Sequence, residues 1–163
     1  MSPSDNIIAG ISIQIPGHSY LFVGSVGCAY NRTKLDENGI THILCVASSV
    51  KSKYPETYCY HRIDLEDDPS ENIDRHFQEC FDFINTARDI GGKVLVHCYQ
   101  GKSRSVALIC AYLMREYRLR FQEALSLVRQ VRPIAQPNIG FMAALQRCES
   151  EWNPRVAHDL DDV

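Results

Sequence analysis

Short apolar runs and amphipathic stretches follow one another along most of this chain. Apolar runs rich in β-branched or aromatic residues at 40–47, 57–65 and 93–97 are typical of buried strands. Apolar residues at helical spacing occupy further segments at 72–90, 103–117, 121–132 and 137–152. Because strands and helices alternate, the pattern predicts an α/β fold in which helices pack on the faces of a sheet.

The N-terminal part of the pattern predicts a hairpin followed by a helix. Residues 10–20 alternate between apolar and polar positions and turn at Pro16-Gly17, and residues 21–23 form a second short strand. Residues 26–37 have helical spacing that ends at Asn38-Gly39, a signal that stops helices. We therefore expect a central, mostly parallel twisted sheet of about five strands with helices on both faces.

The length and composition are those of one globular domain. The chain has 163 residues and a net charge of −3, which gives no reason to expect nucleic acid or an anionic membrane as a partner. No apolar run approaches the roughly 20 residues that span a bilayer, so no membrane anchor is expected. We expect a flexible leader at 1–9, one domain at 10–152 and an acidic, disordered tail at 153–163.

The seven cysteines are an odd number and show no Cys-x-x-Cys spacing. This pattern argues against a disulfide framework and against a zinc site, so no metal is expected. Free thiols are kept reduced in the cytoplasm and the nucleus, which are the compartments we expect. The sequence carries no signal for an oligomeric state.

Ten residues at 96–105 combine the polar side chains that favour catalysis. They read Val-His-Cys-Tyr-Gln-Gly-Lys-Ser-Arg-Ser and connect the strand at 93–97 to the helix at 103–117. The first N–H groups of a helix lack intrahelical partners and the helix dipole adds positive charge, so this end of the helix favours a phosphate. Gly101 allows the loop to curl so that its N–H groups point inward.

Cys98 and Arg104 are the reactive candidates in this stretch. A thiol beside helix N–H groups loses its proton more easily, and the resulting thiolate is a nucleophile. The planar guanidinium of Arg104 suits two phosphate oxygens at once. Most cysteines beside an apolar strand are only small buried hydrophobes. Here the preceding His97, the internal Gly101 and the following Ser105 favour the catalytic interpretation.

Residues 97–105 resemble the His-Cys-x-x-Gly-x-x-Arg-Ser signature of the cysteine-dependent protein tyrosine phosphatases. Similarity to the small atypical dual-specificity branch extends to the flanking residues and to residues 132–141, and covers about residues 10–150. The resemblance implies a protein tyrosine phosphatase-like fold and metal-independent hydrolysis of phosphotyrosine and phosphoserine or phosphothreonine in proteins. It also implies a phosphocysteine intermediate, no cofactor, and phosphorylated proteins as partners.

Cleavage of a phosphate ester by a thiolate needs a general acid opposite the nucleophile. The resemblance places that acid on a loop before the helix that begins near Asn72, and the spacing to Asn72 and Phe77 selects Asp67. Asp68 is the first alternative and Asp64 the second. Without the resemblance, this acidic turn would be interpreted as a solvated surface turn.

The resemblance implies roles for the other signature residues. Ser105 donates to the departing thiolate, unless it only caps its own helix. His97 orients the loop and stabilises the thiolate from a buried position, and it is not expected to donate a proton. Backbone N–H groups of the loop are expected to bind phosphate, and they belong to Tyr99, Gln100, Gly101, Lys102 and Ser103.

Three residues outside the signature have two interpretations each. Asn138 is expected either to hydrogen-bond to the loop from the side or to cap a helix. Cys45 and Cys110 are expected to be buried structural residues, and the alternative is a protective disulfide with Cys98 under oxidation. Only the surroundings of each side chain decide between these interpretations.

Lys102 leaves the choice of substrate open. Lipid-phosphatase relatives also have a basic residue at this position, often with a second one directly after the cysteine, where this chain has Tyr99. The alternative functions are therefore hydrolysis of phosphoinositides or other non-protein phosphate monoesters, and a non-catalytic module that binds phosphopeptides. A solvent-facing lysine with a mild effect on affinity is the simpler interpretation of Lys102.

Overall fold

A computed structural model of the chain describes residues 13–153. The predicted leader and the predicted tail beyond Asn153 lie outside the described residues, as do residues 10–12 of the first predicted strand. Within the described range the strands are β1 (Ile13–Gln14), β2 (Leu21–Gly24), β3 (His42–Cys45), β4 (Cys59–Arg62) and β5 (Val94–His97).

These strands form one sheet in the order β1-β2-β5-β3-β4. β1 is antiparallel to β2, and the other pairs are parallel, so the predicted mostly parallel sheet is confirmed. β5 is the central strand, and His97 at its end lies opposite Gly24 of β2 and Cys45 of β3. The chain therefore leaves β5 at the carboxyl edge of the sheet, where ligands bind in open parallel sheets.

The helices of the described range follow the predicted segments with two differences. Their bounds are α1 (Val26–Ala29), α2 (Arg32–Glu37), α3 (Phe77–Asp89), α4 (Arg104–Tyr117), α5 (Phe121–Val131) and α6 (Ile139–Trp152). The helix predicted from about residue 72 instead starts with a single 3₁₀ turn, Asp74–His76, before α3.

The prediction of one continuous helix over 26–37 is wrong. Asn31 has φ −99° and ψ 85°, outside the helical region, and it separates α1 from α2. Its side chain accepts a hydrogen bond from the Lys34 N–H at 3.1 Å, which makes it the N-cap of α2. The cap competes successfully with helix continuation because it satisfies a backbone donor that would otherwise lack a partner.

Side chains alternate between the two faces of the sheet, as the strand period requires. Phe22, Ile43 and Leu95 pack with Leu35 under α1 and α2 on one face. The opposite face packs against the four longer helices, among which α4 is buried along all of residues 105–114. The prediction of helices on both faces is confirmed, and the loop after β5 is held between the central strand and the most buried helix.

Replacing Leu108 of α4 by Ala is expected to lower the free energy of unfolding by about 2–5 kcal/mol, because the fully buried side chain leaves a cavity in the core. Ile90→Ala is the matched control, since Ile90 is 71% exposed and its truncation should cost less than about 0.5 kcal/mol. Urea denaturation followed by circular dichroism measures both values. Equal losses in the two variants would contradict this assignment of the core.

Candidate active site

The loop at 98–103 connects the end of β5 to the start of α4. At its centre Gly101 has φ +65°, a conformation that favours glycine. A Cβ at this position would lie 2.5 Å from the Gly24 carbonyl oxygen and 2.7 Å from a guanidinium nitrogen of Arg132. Both the backbone conformation and the close packing therefore require glycine here.

The backbone carbonyls of the 98–103 loop are hydrogen-bonded on its outer side. The Val26 N–H at the start of α1 donates to Tyr99 O at 3.0 Å, and the Gln136 N–H donates to Lys102 O at 2.8 Å. In a trans peptide the N–H points away from the preceding carbonyl, so these bonds turn N–H groups to the inner side. The inner side is therefore a nest of donors, a geometry that binds anions.

Arg132 holds the two remaining carbonyls at the centre of the loop. Its guanidinium donates to Gln100 O at 2.8 Å and also to Gly101 O, and the residue is fully buried. Burial lowers the pKa of Arg132, and the nearby Cys28 and Cys98 sulfurs act in the opposite direction. The sequence alone assigns no role to Arg132. Its position in the segment 132–141 is the only indication that the sequence gives for this residue.

Cys98 lies at the base of the nest and is 2% exposed. Its sulfur accepts a hydrogen bond from the Gly101 N–H at 3.2 Å. The Ser105 hydroxyl, in the first turn of α4, lies 3.2 Å from the same sulfur. Hydrogen-bond donors at this distance stabilise negative charge on sulfur. The structure therefore brings the expected nucleophile and the expected hydroxyl donor into contact.

His97 is buried beneath the loop, where its Nδ1 donates to Cys98 O at 3.1 Å. Burial lowers the pKa of His97 to about 4, so the imidazole is neutral near neutral pH. Since the carbonyl oxygen only accepts hydrogen bonds, the proton of this neutral ring is on Nδ1. The hydrogen bond joins the buried His97 ring to the backbone of the loop at Cys98.

Arg104 is partly buried at the start of α4, and it lines one cavity together with Cys98. Its Nη1 donates to Leu65 O at 3.3 Å, which connects the start of the helix to the chain just before the acidic turn. Its Nε is buried and has no hydrogen-bond partner among residues 13–153. Buried polar atoms usually have a partner, so this nitrogen indicates a ligand that supplies an oxygen.

Asp67 belongs to the same cavity. The cavity has a volume of about 290 Å³, and its lining joins Asp67 to the loop and to the chain after β3. The lining residues are Ser49, Glu66, Asp67, Cys98, Tyr99, Gln100, Lys102, Ser103 and Arg104. The Asn138 side-chain amide donates to Asp67 Oδ1 at 3.0 Å, which holds the carboxyl in place.

The two alternative acids do not line this cavity. Asp68 Oδ1 accepts hydrogen bonds from the Ser70 hydroxyl at 2.7 Å and from the Ser70 N–H at 2.8 Å, and both lower the pKa of Asp68. Because its pKa is lowered, less of the Asp68 carboxyl holds the proton that a general acid must supply near neutral pH. Asp64 is exposed before the turn. The geometry therefore favours Asp67 as the acid.

Asn138 occupies both positions that the sequence left as alternatives. It is the N-cap of α6, where its side-chain oxygen accepts a hydrogen bond from the Phe141 N–H at 2.9 Å. Its backbone N–H donates to Ser103 Oγ at 2.8 Å, while its side-chain amide reaches Asp67. One residue thus connects the 98–103 loop, the acidic turn and the start of α6.

The acidic turn also packs directly on the first turn of α6. A Cβ on Gly140 would lie 2.0 Å from Pro69 O and 2.6 Å from the Pro69 carbonyl carbon. Only glycine permits such a close backbone approach. The sequence does not indicate this contact, although Gly140 lies in the segment 132–141. The position of Asp67 therefore depends on Gly140 as well as on Asn138.

Cys45 and Cys110, the two cysteines considered as disulfide partners of Cys98, are both buried. All seven cysteines lie within the described residues and are free thiols. Burial raises the pKa of Cys45 and raises the pKa of Cys110 to about 12, which disfavours the thiolate that disulfide exchange requires. These surroundings favour structural burial over a protective disulfide for both residues.

Two further features concern metals and membranes. Among residues 13–153, no group of three or more His, Cys, Asp or Glu side chains is arranged to hold a metal ion. None of the described helices combines the length and the apolar character that a membrane span requires.

Lys102 is exposed at the rim of the cavity, where its side chain adds positive charge.

Known proteins resemble this chain over most of its length. Residues 21–151 match the family model of the dual specificity phosphatase catalytic domain. The chain is 43% identical over 129 residues to Dual specificity protein phosphatase 1 of Arabidopsis thaliana, and this match covers 79% of the chain. The matched region is 65% of the length of that relative. The resemblance inferred from residues 97–105 is therefore confirmed.

Solved structures show the same likeness in three dimensions. A structure of DUSP15 aligns with a TM-score of 0.82 and 31% identity, and covers 93% of this chain and 95% of that one. The human tyrosine phosphatase-like serine/threonine/tyrosine-interacting protein aligns with a TM-score of 0.79 and 34% identity. That alignment covers 88% of this chain and 98% of the human protein.

Stability is expected to fall as the pH drops below the usual histidine pKa of 6.5, because burial lowers the pKa of His97 to about 4. Between these pH values the unfolded chain binds a proton that the folded chain excludes, so protonation stabilises the unfolded state relative to the folded state. The free energy of unfolding should fall by up to about 3 kcal/mol over this range. Urea denaturation across this pH range should show a shallower dependence in His97→Gln, and identical slopes would contradict the assignment.

Gly140→Ala is expected to displace the acidic turn and with it Asp67. Hydrolysis of an aryl phosphate whose leaving group needs a proton should slow about 10- to 100-fold, while an activated aryl phosphate should be hydrolysed almost normally. Steady-state kinetics on the two substrates measure the difference. Gln146→Ala, at an exposed position of α6, is the control variant. An equal loss on both substrates would place the defect in the 98–103 loop instead.

Proposed function

The chain belongs to the dual-specificity phosphatase family, and from this premise we propose that it hydrolyses phosphotyrosine and phosphoserine or phosphothreonine in proteins through a phosphocysteine intermediate. One observation carries the proposal. Cys98, Asp67 and Arg104 line a single cavity, where the Arg104 Nε is buried with no hydrogen-bond partner in the described part of the chain. Phosphorylated proteins are the substrates, and the cytoplasm or nucleus is the proposed location.

The first step transfers the phosphoryl group to Cys98. The sulfur attacks phosphorus, so an S–P bond forms while the P–O bond to the substrate breaks. Asp67 gives its proton to the departing oxygen, which leaves as a neutral alcohol or phenol. Arg104 and the inward N–H groups of the 98–103 loop hold the three remaining phosphate oxygens as charge moves onto them. This arrangement of fixed donors supplies the charge balance.

The second step releases phosphate. A water molecule attacks phosphorus, and Asp67, now ionised, takes a proton from it. The S–P bond breaks, and the electron pair returns to sulfur. The Ser105 hydroxyl, 3.2 Å from the Cys98 sulfur, donates a hydrogen bond to the departing thiolate. Inorganic phosphate leaves, and the proton that Asp67 took from water leaves Asp67 in the acid form for the next cycle.

Other residues support the reaction by holding the 98–103 loop and Asp67 in place. Arg132 keeps the carbonyls of the 98–103 loop outward, so that the N–H groups remain available to phosphate. Asn138 and Gly140 set the position of Asp67 relative to Cys98. Exposed Lys102 adds positive charge at the rim of the cavity.

Cys98→Ser is expected to lower kcat on a small aryl phosphate by about a thousandfold or more, because the nucleophile is lost. Asp67→Asn should lower kcat about 10²- to 10⁴-fold for a poor leaving group, and far less for a leaving group that needs no proton. Steady-state kinetics in the presence of EDTA measure these values.

Asp68→Asn is the matched control for the acid, because it neutralises the adjacent carboxyl without touching the cavity. Near-normal activity of Asp67→Asn with a defect in Asp68→Asn would reverse the assignment of the acid. Loss of wild-type activity in EDTA would contradict a reaction without metal. Binding of phosphopeptides by an inert wild-type protein would support a non-catalytic module instead.

A further inference from the structure

An apolar cavity borders the active-site cleft. Its volume is about 490 Å³, and it shares Tyr99, Gln100 and Lys102 with the cleft around Cys98. Its other walls include Val26 of α1 and Ile134, from the segment that precedes α6. The residues of the acidic turn do not line it. The reaction proposed above uses the backbone of the shared residues and makes no use of this cavity.

The walls of the cavity present apolar surface because their backbone groups are already paired. Tyr99 O accepts a hydrogen bond from the Val26 N–H, and Lys102 O accepts one from the Gln136 N–H. The Val26 and Ile134 side chains are only partly buried, and Tyr99 is 59% exposed. A concave apolar surface with few available polar groups favours an apolar ligand. Contiguous exposed apolar surface of this kind marks binding sites.

We propose that this cavity is a substrate subsite that receives an apolar side chain, such as Leu or Phe, from the phosphoprotein. The inference rests on the proposed function, since it assumes that the substrate phosphate lies above Cys98. Tyr99 lines both cavities, so the substrate chain passes over Tyr99 on its way from the phosphate to the apolar cavity. An extended chain advances about 3.3 Å per residue, so three residues on either side of the phosphorylated residue reach about 10 Å from it.

The observations favour a protein substrate over a membrane lipid as the source of the apolar group. The cavity is continuous with the cleft through three shared residues, so one ligand reaches both. Among residues 13–153, Lys102 is the one basic side chain in the lining of the two cavities besides Arg104. The net charge of −3 does not attract an anionic lipid surface. The test must therefore distinguish an apolar protein side chain from a lipid acyl chain as the occupant of the cavity.

The test uses phosphotyrosine peptides with a Ser and Gly background, in which a single Leu replaces Ser at each of the three positions before and after phosphotyrosine. Leu at one position is expected to raise kcat/KM about tenfold over Ser. Val26→Gln and Ile134→Gln should each reduce this Leu-to-Ser ratio to about two or less. Because the ratio is taken within one variant, general losses of activity cancel.

Ile139→Gln is the matched control variant. Ile139 is 74% exposed near the active site, but it lies outside the apolar cavity, so this variant should keep the wild-type ratio. The same peptides are also measured for affinity by fluorescence anisotropy with Cys98→Ser, which does not require turnover. The preference for Leu at the same position should appear in both measurements.

The outcomes separate this inference from the proposed function. Equal kcat/KM for all peptides that the wild type hydrolyses would overturn the subsite and leave the phosphatase activity standing. A Leu preference in affinity, with no hydrolysis of any peptide by the wild type, would support the subsite and overturn the activity. Faster hydrolysis of a phosphoinositide in vesicles than of its soluble headgroup, lost in Val26→Gln and Ile134→Gln, would assign the cavity to an acyl chain and overturn the proposal.

Discussion

The outward hydrogen bonds of the 98–103 loop are the constraint on which the site depends. Several backbone N–H groups can face one anion only if the carbonyls between them are held on the other side. Val26 and Gln136 hold two carbonyls through backbone donors, and Arg132 holds two more. Arg132 places a full charge in the interior, which a folded chain tolerates because the guanidinium is hydrogen-bonded and lies near the Cys98 sulfur. This buried cation also adds to the positive potential beneath the phosphate.

Core packing of the two elements that flank the loop makes this arrangement rigid. β5 is the central strand and α4 is the most buried helix, so both ends of the loop are fixed by core packing. The proposed acid, Asp67, comes from a separate part of the chain and is held by the start of α6. Asn138 donates to Asp67 there, and Gly140 lets the turn approach closely at Pro69. The proposed nucleophile and acid therefore come from separate segments, and Asn138 at the start of α6 connects these segments through Ser103 and Asp67.

The two neighbouring cavities have different roles in the proposed enzyme. The polar one contains the groups of the family signature, and its chemistry is the same for any phosphate monoester that reaches Cys98. The apolar one is built from Val26 and Ile134, which lie outside the signature, and Tyr99 belongs to both. Selectivity among substrates then depends on side chains that do not take part in the reaction.

The local sequence by itself determined the α/β alternation, the buried strand before Cys98, and the grouping of Cys98, Arg104 and Ser105. These features depend on residues within one strand-loop-helix unit, where periodicity and helix-end chemistry act directly. Only the tertiary structure placed Asp67 rather than Asp68 in the cavity with Cys98, placed Arg132 behind the loop, and joined the acidic turn to Gly140. Those contacts join residues that are far apart in the chain. Packing therefore sets them, and no local pattern of hydrophobic and polar residues encodes their distances.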